Sequence, residues 1–129
     1  MTTSQIFQPG FRLIDGNDLN NALAVDGGSY QAGIVAAAGG GQTNATLLTS
    51  SYNSVDTVAS ANDSVKLPPS KPGTSITIIN ASANATQVFG SGTDTINAVA
   101  YATGVSQAAG KVASYFCVAL GKWFRQLSA

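Results

Sequence analysis

The most constraining feature of this chain is its punctuation. From residue 64 to the end, short β-branched and aromatic runs alternate with Gly and Pro. Ser64-Val65-Lys66-Leu67 stops at Pro68-Pro69, and Lys71-Pro72-Gly73 makes a turn. Across 74–80, Ile76 and Ile78 fall on one side of a strand and Thr77 and Ile79 on the other. A strand over 84–89 ends at Gly90-Ser91-Gly92, and Thr95-Ile96-Asn97-Ala98-Val99 follows. Val112, Ser114, Phe116 and Val118 line one face of a further strand, with Tyr115 and Cys117 on the other. Leu120-Gly121-Lys122 turns the chain into a last strand over 123–127. Short strands at close spacing predict a mainly β fold, expected as a compact antiparallel β-sandwich, barrel or prism-like module over 64–129.

The two upstream zones read differently. Residues 1–30 form an N-terminal arm with an apolar cluster, Phe11-Arg12-Leu13-Ile14, and then Asp15-Gly16-Asn17-Asp18. Leu19, Ala22 and Leu23 share one face of a short helix, which Asp15 or Asn17 can cap and Gly27-Gly28 ends. So short a helix needs a surface to dock on. Residues 31–63 are a connecting segment rich in Gly, Ser, Thr and Asn, with brief β-like pieces at 46–49 and 55–58.

Composition bounds the function. The chain of 129 residues has no His and no Glu, and its carboxylates are six Asp. Those missing types do most acid–base and metal chemistry, so no enzyme, cofactor or metal is expected. Charged residues are 9% of the chain against roughly 25% in ordinary domains. A surface so poor in charge is covered by Ser, Thr, Asn and Gly or hidden in an assembly. Lys and Arg are scattered singly, which argues against nucleic acid, and no stretch approaches the ~20 apolar residues of a membrane span. The opening residues lack the pattern of a secretory signal, so synthesis in a cytoplasm is expected.

Single motifs take plain readings. Cys117, the one cysteine, lies in Tyr115-Phe116-Cys117-Val118 and reads as a buried small hydrophobe. Gly39-Gly40-Gly41 has no Lys-Ser/Thr after it and reads as a flexible turn. Asp15-Gly16-Asn17-Asp18 lacks the closing Glu of a calcium loop. Tyr101, Tyr115, Phe116, Trp123 and Phe124 are assigned to core or subunit interface, where aromatics supply much of the burial.

An ordered series runs Asp63-Ser64-Val65-Lys66-Leu67-Pro68, Pro72-Gly73, Ile76-Thr77-Ile78-Ile79-Asn80, Ala83-Asn84-Ala85, Gln87-Val88-Phe89, Asp94-Thr95-Ile96-Asn97, Gly104-Val105, Ala109-Gly110-Lys111 and Gly121-Lys122-Trp123. This series resembles a β module of small virion proteins from tailed bacteriophages. Upstream, Phe11-Arg12-Leu13-Ile14-Asp15-Gly16 and Gly39-Gly40-Gly41-Gln42 belong to the same pattern. The resemblance implies a virion structural protein. The expected role is a capsid decoration, or cement, subunit that binds the major capsid protein on the head surface and forms a homotrimer. The alternative is a head- or tail-fibre or adaptor component with a receptor- or polysaccharide-binding role. Phe11, Leu13, Ile14, Leu19 and Leu23 are the candidate docking arm. The same residues packing on the chain's own β-body is the competing expectation.

Overall fold

The computed structural model describes residues 29–129. The described chain is β throughout its regular part. Its ten strands are β1 (Tyr30–Val35), β2 (Thr46–Leu47), β3 (Tyr52–Thr57), β4 (Ser64–Lys66), β5 (Ser75–Asn80), β6 (Thr86–Phe89), β7 (Thr95–Ile96), β8 (Val105–Gln107), β9 (Val112–Ala119) and β10 (Lys122–Leu127). They form a six-stranded sheet in the order β1-β3-β5-β9-β10-β7 and a four-stranded sheet in the order β2-β4-β6-β8.

The connectivity is that of a solenoid. From β1 to β6 the chain passes to the other sheet at every step, so consecutive strands are never partners. Each coil therefore lays its strand on that of the coil before, running the same way. In one sheet β1, β3 and β5 stack in parallel, and in the other β2, β4 and β6 do. Backbone bonds carry the stacking between coils: the Tyr52 amide donates to the Ser29 carbonyl at 2.8 Å, and the Thr77 amide to the Ser51 carbonyl at 2.7 Å.

The chain is mainly β as expected, but where an antiparallel sandwich, barrel or prism-like module was expected the sheets form a solenoid-like arrangement that is not clearly a sandwich or barrel. Among the strands, antiparallel pairs occur at its end, where β8 runs against β6, β9 against β5, and β10 against β9, and an isolated antiparallel bridge joins Ala37 to Ser64. The short helix expected near Leu19 and Leu23 lies outside the described residues. The 31–63 segment, expected as loop with brief strands, supplies β1, β2 and β3, and β3 pairs with β5 in register from Tyr52 opposite Thr77 to Val55 opposite Asn80.

The core lies between the sheets. Val55, Ile78, Tyr115 and Trp123 enter it from the larger sheet and Val65 and Val88 from the smaller. Each fully buried large side chain contributes about 1.5–3 kcal/mol relative to exposure. The alternation read in β5 and β9 decides which residues these are: Ile76, Ile78, Ala113, Tyr115 and Cys117 point inward.

Buried polar groups tie the sheets together. The Gln107 side-chain amide donates to the Ile78 and Lys111 carbonyls, each at 2.9 Å. Its Oε1 accepts from the Tyr115 hydroxyl at 2.7 Å. Asn80 Nδ2 donates to the Asn84 and Gln107 carbonyls, while its Oδ1 accepts from the Ser82 amide and hydroxyl. Placing Gln107 and Asn80 wholly inside costs little because every one of these polar atoms is paired.

Candidate functional site

The aromatic residues singled out in the sequence divide by the phase of two strands. Tyr115 and Trp123 point inward and are completely buried. Phe116 and Phe124, one step along each strand, point outward and stand directly opposite each other across the β9–β10 pair. Such a cross-strand aromatic pair stabilises a sheet by roughly 0.2–1 kcal/mol relative to Ala–Ala. Here it also presents two rings to the surroundings. Tyr101 lies on the connection between β7 and β8 and is exposed.

Alternation extends this outward face over the whole larger sheet. Val112 and Val118 flank Phe116 on β9. On the far side of β5, Tyr30 stands opposite Tyr52 on the two stacked strands β1 and β3. All six large side chains, Tyr30, Tyr52, Val112, Phe116, Val118 and Phe124, are between 36% and 64% exposed. Between them lie small polar residues, with Thr77 beside Tyr52 and Ser114 opposite Gln126. The outer face of the smaller sheet is different in kind, presenting Lys66, Gln87 and Ser106 with Leu47 as its exposed aliphatic residue.

The charges on the aromatic face sit at its corners. Asp56 is near the end of β3 and Lys122 at the start of β10, and both are exposed. Strands β3, β5 and β10 all run the same way, with β9 opposed, so these two residues occupy diagonally opposite corners. The Asp56 carboxylate accepts from the Ser54 hydroxyl at 2.5 Å and the Gly33 amide at 2.6 Å. These two bonds hold its carboxyl below the usual carboxylate range, the Ser54 bond having the greater effect.

Inside the body, burial raises the Tyr115 hydroxyl to about 12, and the nearby Arg125 guanidinium opposes part of that rise. Cys117 is a free thiol buried in the core beside Trp123, its cross-strand partner. Among the described residues there is no group of three or more His, Cys, Asp or Glu that could hold a metal ion. No helix among them is long and apolar enough to cross a membrane. What the arrangement offers is a surface for contact.

The docking-arm residues Phe11, Leu13, Ile14, Leu19 and Leu23 lie outside the described residues. Val112 and Val118 share the Phe116 face, as the alternation of β9 predicts, while Tyr30 and Tyr52 join it from strands that the sequence did not single out. For the tyrosines the signal was the repeated pair Ser29-Tyr30 and Ser51-Tyr52, one coil apart. No family model, no curated protein and no solved structure matches the chain.

Proposed function

We propose that this chain is a virion structural protein, a homotrimeric decoration subunit that binds the major capsid protein on the outer surface of a phage head. The exposed aromatic face of the larger sheet carries this reading. Aromatic side chains are enriched where proteins meet one another. The low charge of the whole chain and the ordered resemblance to small phage virion proteins point the same way.

In this reading residues 1–30 are an arm with a short helix around Leu19 and Leu23, and Phe11, Leu13, Ile14, Leu19 and Leu23 dock on the coat. Stabilisation is additive, each copy bridging neighbouring coat subunits through an interface of roughly 1,600 Å² in total. Particles lacking the protein should release their DNA at a lower temperature than complete ones, and equal resistance would count against a cement role. Leu13→Asp in the full chain should abolish binding to shells while leaving the circular-dichroism spectrum of the β-body unchanged. Retained binding would mean that the arm is not the docking element.

One observation favours a second reading, a fibre or adaptor piece that binds host polysaccharide. Tyr30 and Tyr52 are adjacent and exposed, and such rings stack on the apolar faces of sugars. Antibody labelling of intact particles separates the two: label over the head supports decoration, and label confined to the tail supports the fibre.

A further inference from the structure

We infer that the outer face of the larger sheet is where copies of this chain bind one another, with Phe116 and Phe124 anchoring the contact at its β9–β10 end. This deepens the homotrimer proposed above and rests on that reading, since it names the surface that would face the threefold axis.

Three observations lead to a copy of the chain as the occupant. The first is the contrast between the two outer faces. One sheet shows Lys66, Gln87 and Ser106 to its surroundings, whereas the other shows six large apolar or aromatic side chains. Monomers seldom expose so many large apolar side chains on one face.

The second observation is size. Five adjoining strands, β1, β3, β5, β9 and β10, cover roughly 24 Å at ~4.8 Å spacing, and six residues cover about 20 Å along a strand. The projected face is therefore roughly 500 Å² per copy, so two such faces bury about 1,000 Å², the point at which specific interfaces begin. Three faces around an axis bury about 1,500 Å² in total, shared among three contacts.

The third observation is charge. A surface that meets its own copy must not carry a single sign, because each charge would then face its like. This face carries Asp56 and Lys122 at opposite corners and the uncharged Ser75, Thr77, Ser114 and Gln126 between its large side chains. It is self-compatible without any partner supplying balance.

The test is the solution mass of the full chain by light scattering, across a hundredfold range of concentration. Wild type is expected as a trimer. Phe116→Ser and Phe124→Ser are expected to weaken association at least tenfold each, with an unchanged circular-dichroism spectrum because neither ring is in the core. A second measurement does not depend on those variants folding. A spin label at Ser114→Cys on this face should give a shorter distance between copies than one at Ser106→Cys on the polar face, the native Cys117 being buried.

A monomeric wild type overturns the inference, whether residues 1–28 or a coat protein then cover the face. Multimers that persist in the Phe116→Ser, Phe124→Ser double variant, or a shorter distance at 106, also overturn it. Binding to empty coat shells separates this inference from the decoration reading. A monomer that binds shells sinks the inference alone, and a face-dependent trimer that never binds shells sinks decoration alone.

Discussion

Replacing Tyr115 by Phe tests how the buried network holds the two sheets together. The hydroxyl donates to Gln107 Oε1 at 2.7 Å, and both residues are fully buried. Losing the donor leaves that oxygen without a partner in a place water does not reach. Tyr115→Phe should therefore cost about 1–3 kcal/mol, more than the ~1 kcal/mol net value of an average hydrogen bond. Urea denaturation at pH 8 measures this cost directly. The pH dependence of the same difference is more discriminating. Burial raises the phenol to about 12 in the folded protein, against 10.0 for an unperturbed tyrosine. Below pH 10 neither state loses the proton, and the stability it represents is fully present. Between pH 10 and 12 only the unfolded chain ionises, which favours unfolding by about 1.36 kcal/mol per pH unit. Wild type should thus lose about 2.7 kcal/mol across that interval, and the Phe variant lacks this loss. Every other titrating group cancels in the difference between the two proteins. The advantage of wild type should shrink to near zero, or reverse, by pH 12. A difference that stays constant from pH 8 to pH 12 would refute the assignment of Tyr115 as a buried, neutral donor.

Two further substitutions or reactions probe the body. Gly104 has φ of 67°, and a Cβ there would lie 2.6 Å from the Val88 carbonyl oxygen and 2.9 Å from the Phe89 ring. Gly104→Ala should cost about 2–4 kcal/mol, lowering Tm by about 8–16 °C. Gly121→Ala is the control, since its φ is 79° but its nearest neighbour would be 3.7 Å away, and it should cost only about 1–2 kcal/mol. Equal losses at the two sites would show that the close approach to β6 is not what fixes Gly104. Cys117 is buried on the core side of β9, so a thiol reagent should modify it only at the rate of unfolding. Rapid modification of the native protein would place it at an accessible surface.

The sequence made the strands legible and left their partners hidden. Ile76 and Ile78 against Thr77 and Ile79, and Tyr115 and Cys117 against Phe116 and Val118, were correctly grouped because side-chain alternation is a local property. The direction of pairing is not local. A strand alternates in the same way beside a parallel or an antiparallel neighbour, so nothing within 74–80 distinguishes β3 from a hairpin partner. The repeat that would have revealed the coils is irregular: residue 30 stacks on 52 and residue 52 on 77, steps of 22 and 25. Which side of β9 faces in was also hidden. It becomes visible only in the fold, where Ala113, Tyr115 and Cys117 pack into the core and the Tyr115 hydroxyl reaches Gln107 in the other sheet. For the candidate site, Phe116 and Phe124 were legible as aromatics of core or interface. Their separation from Tyr115 and Trp123 needed the sheet.

The two ends of the larger sheet suggest why association should use a face and not an edge. Solenoids are open at their ends, and an exposed regular edge strand templates unlimited addition. Here β1 is an edge among the described residues, but its register against β3 slips between Gln31 and Ile34 and again between Ile34 and Val35. Gly33 within it adopts φ of 71°, and its amide is held by the Asp56 carboxylate. So irregular a strand is a poor template for another. At the opposite end the chain reverses into the β9–β10 hairpin, and only the two residues of β7 lie beyond it. That same hairpin carries Phe116 and Phe124 on its outer side. The element that stops the coil from stacking further is therefore the one that offers a contact surface. A contact through a face can close around a symmetry axis, whereas a contact through strand edges would propagate into a fibre. An assembly of a fixed number of copies requires the first and must avoid the second.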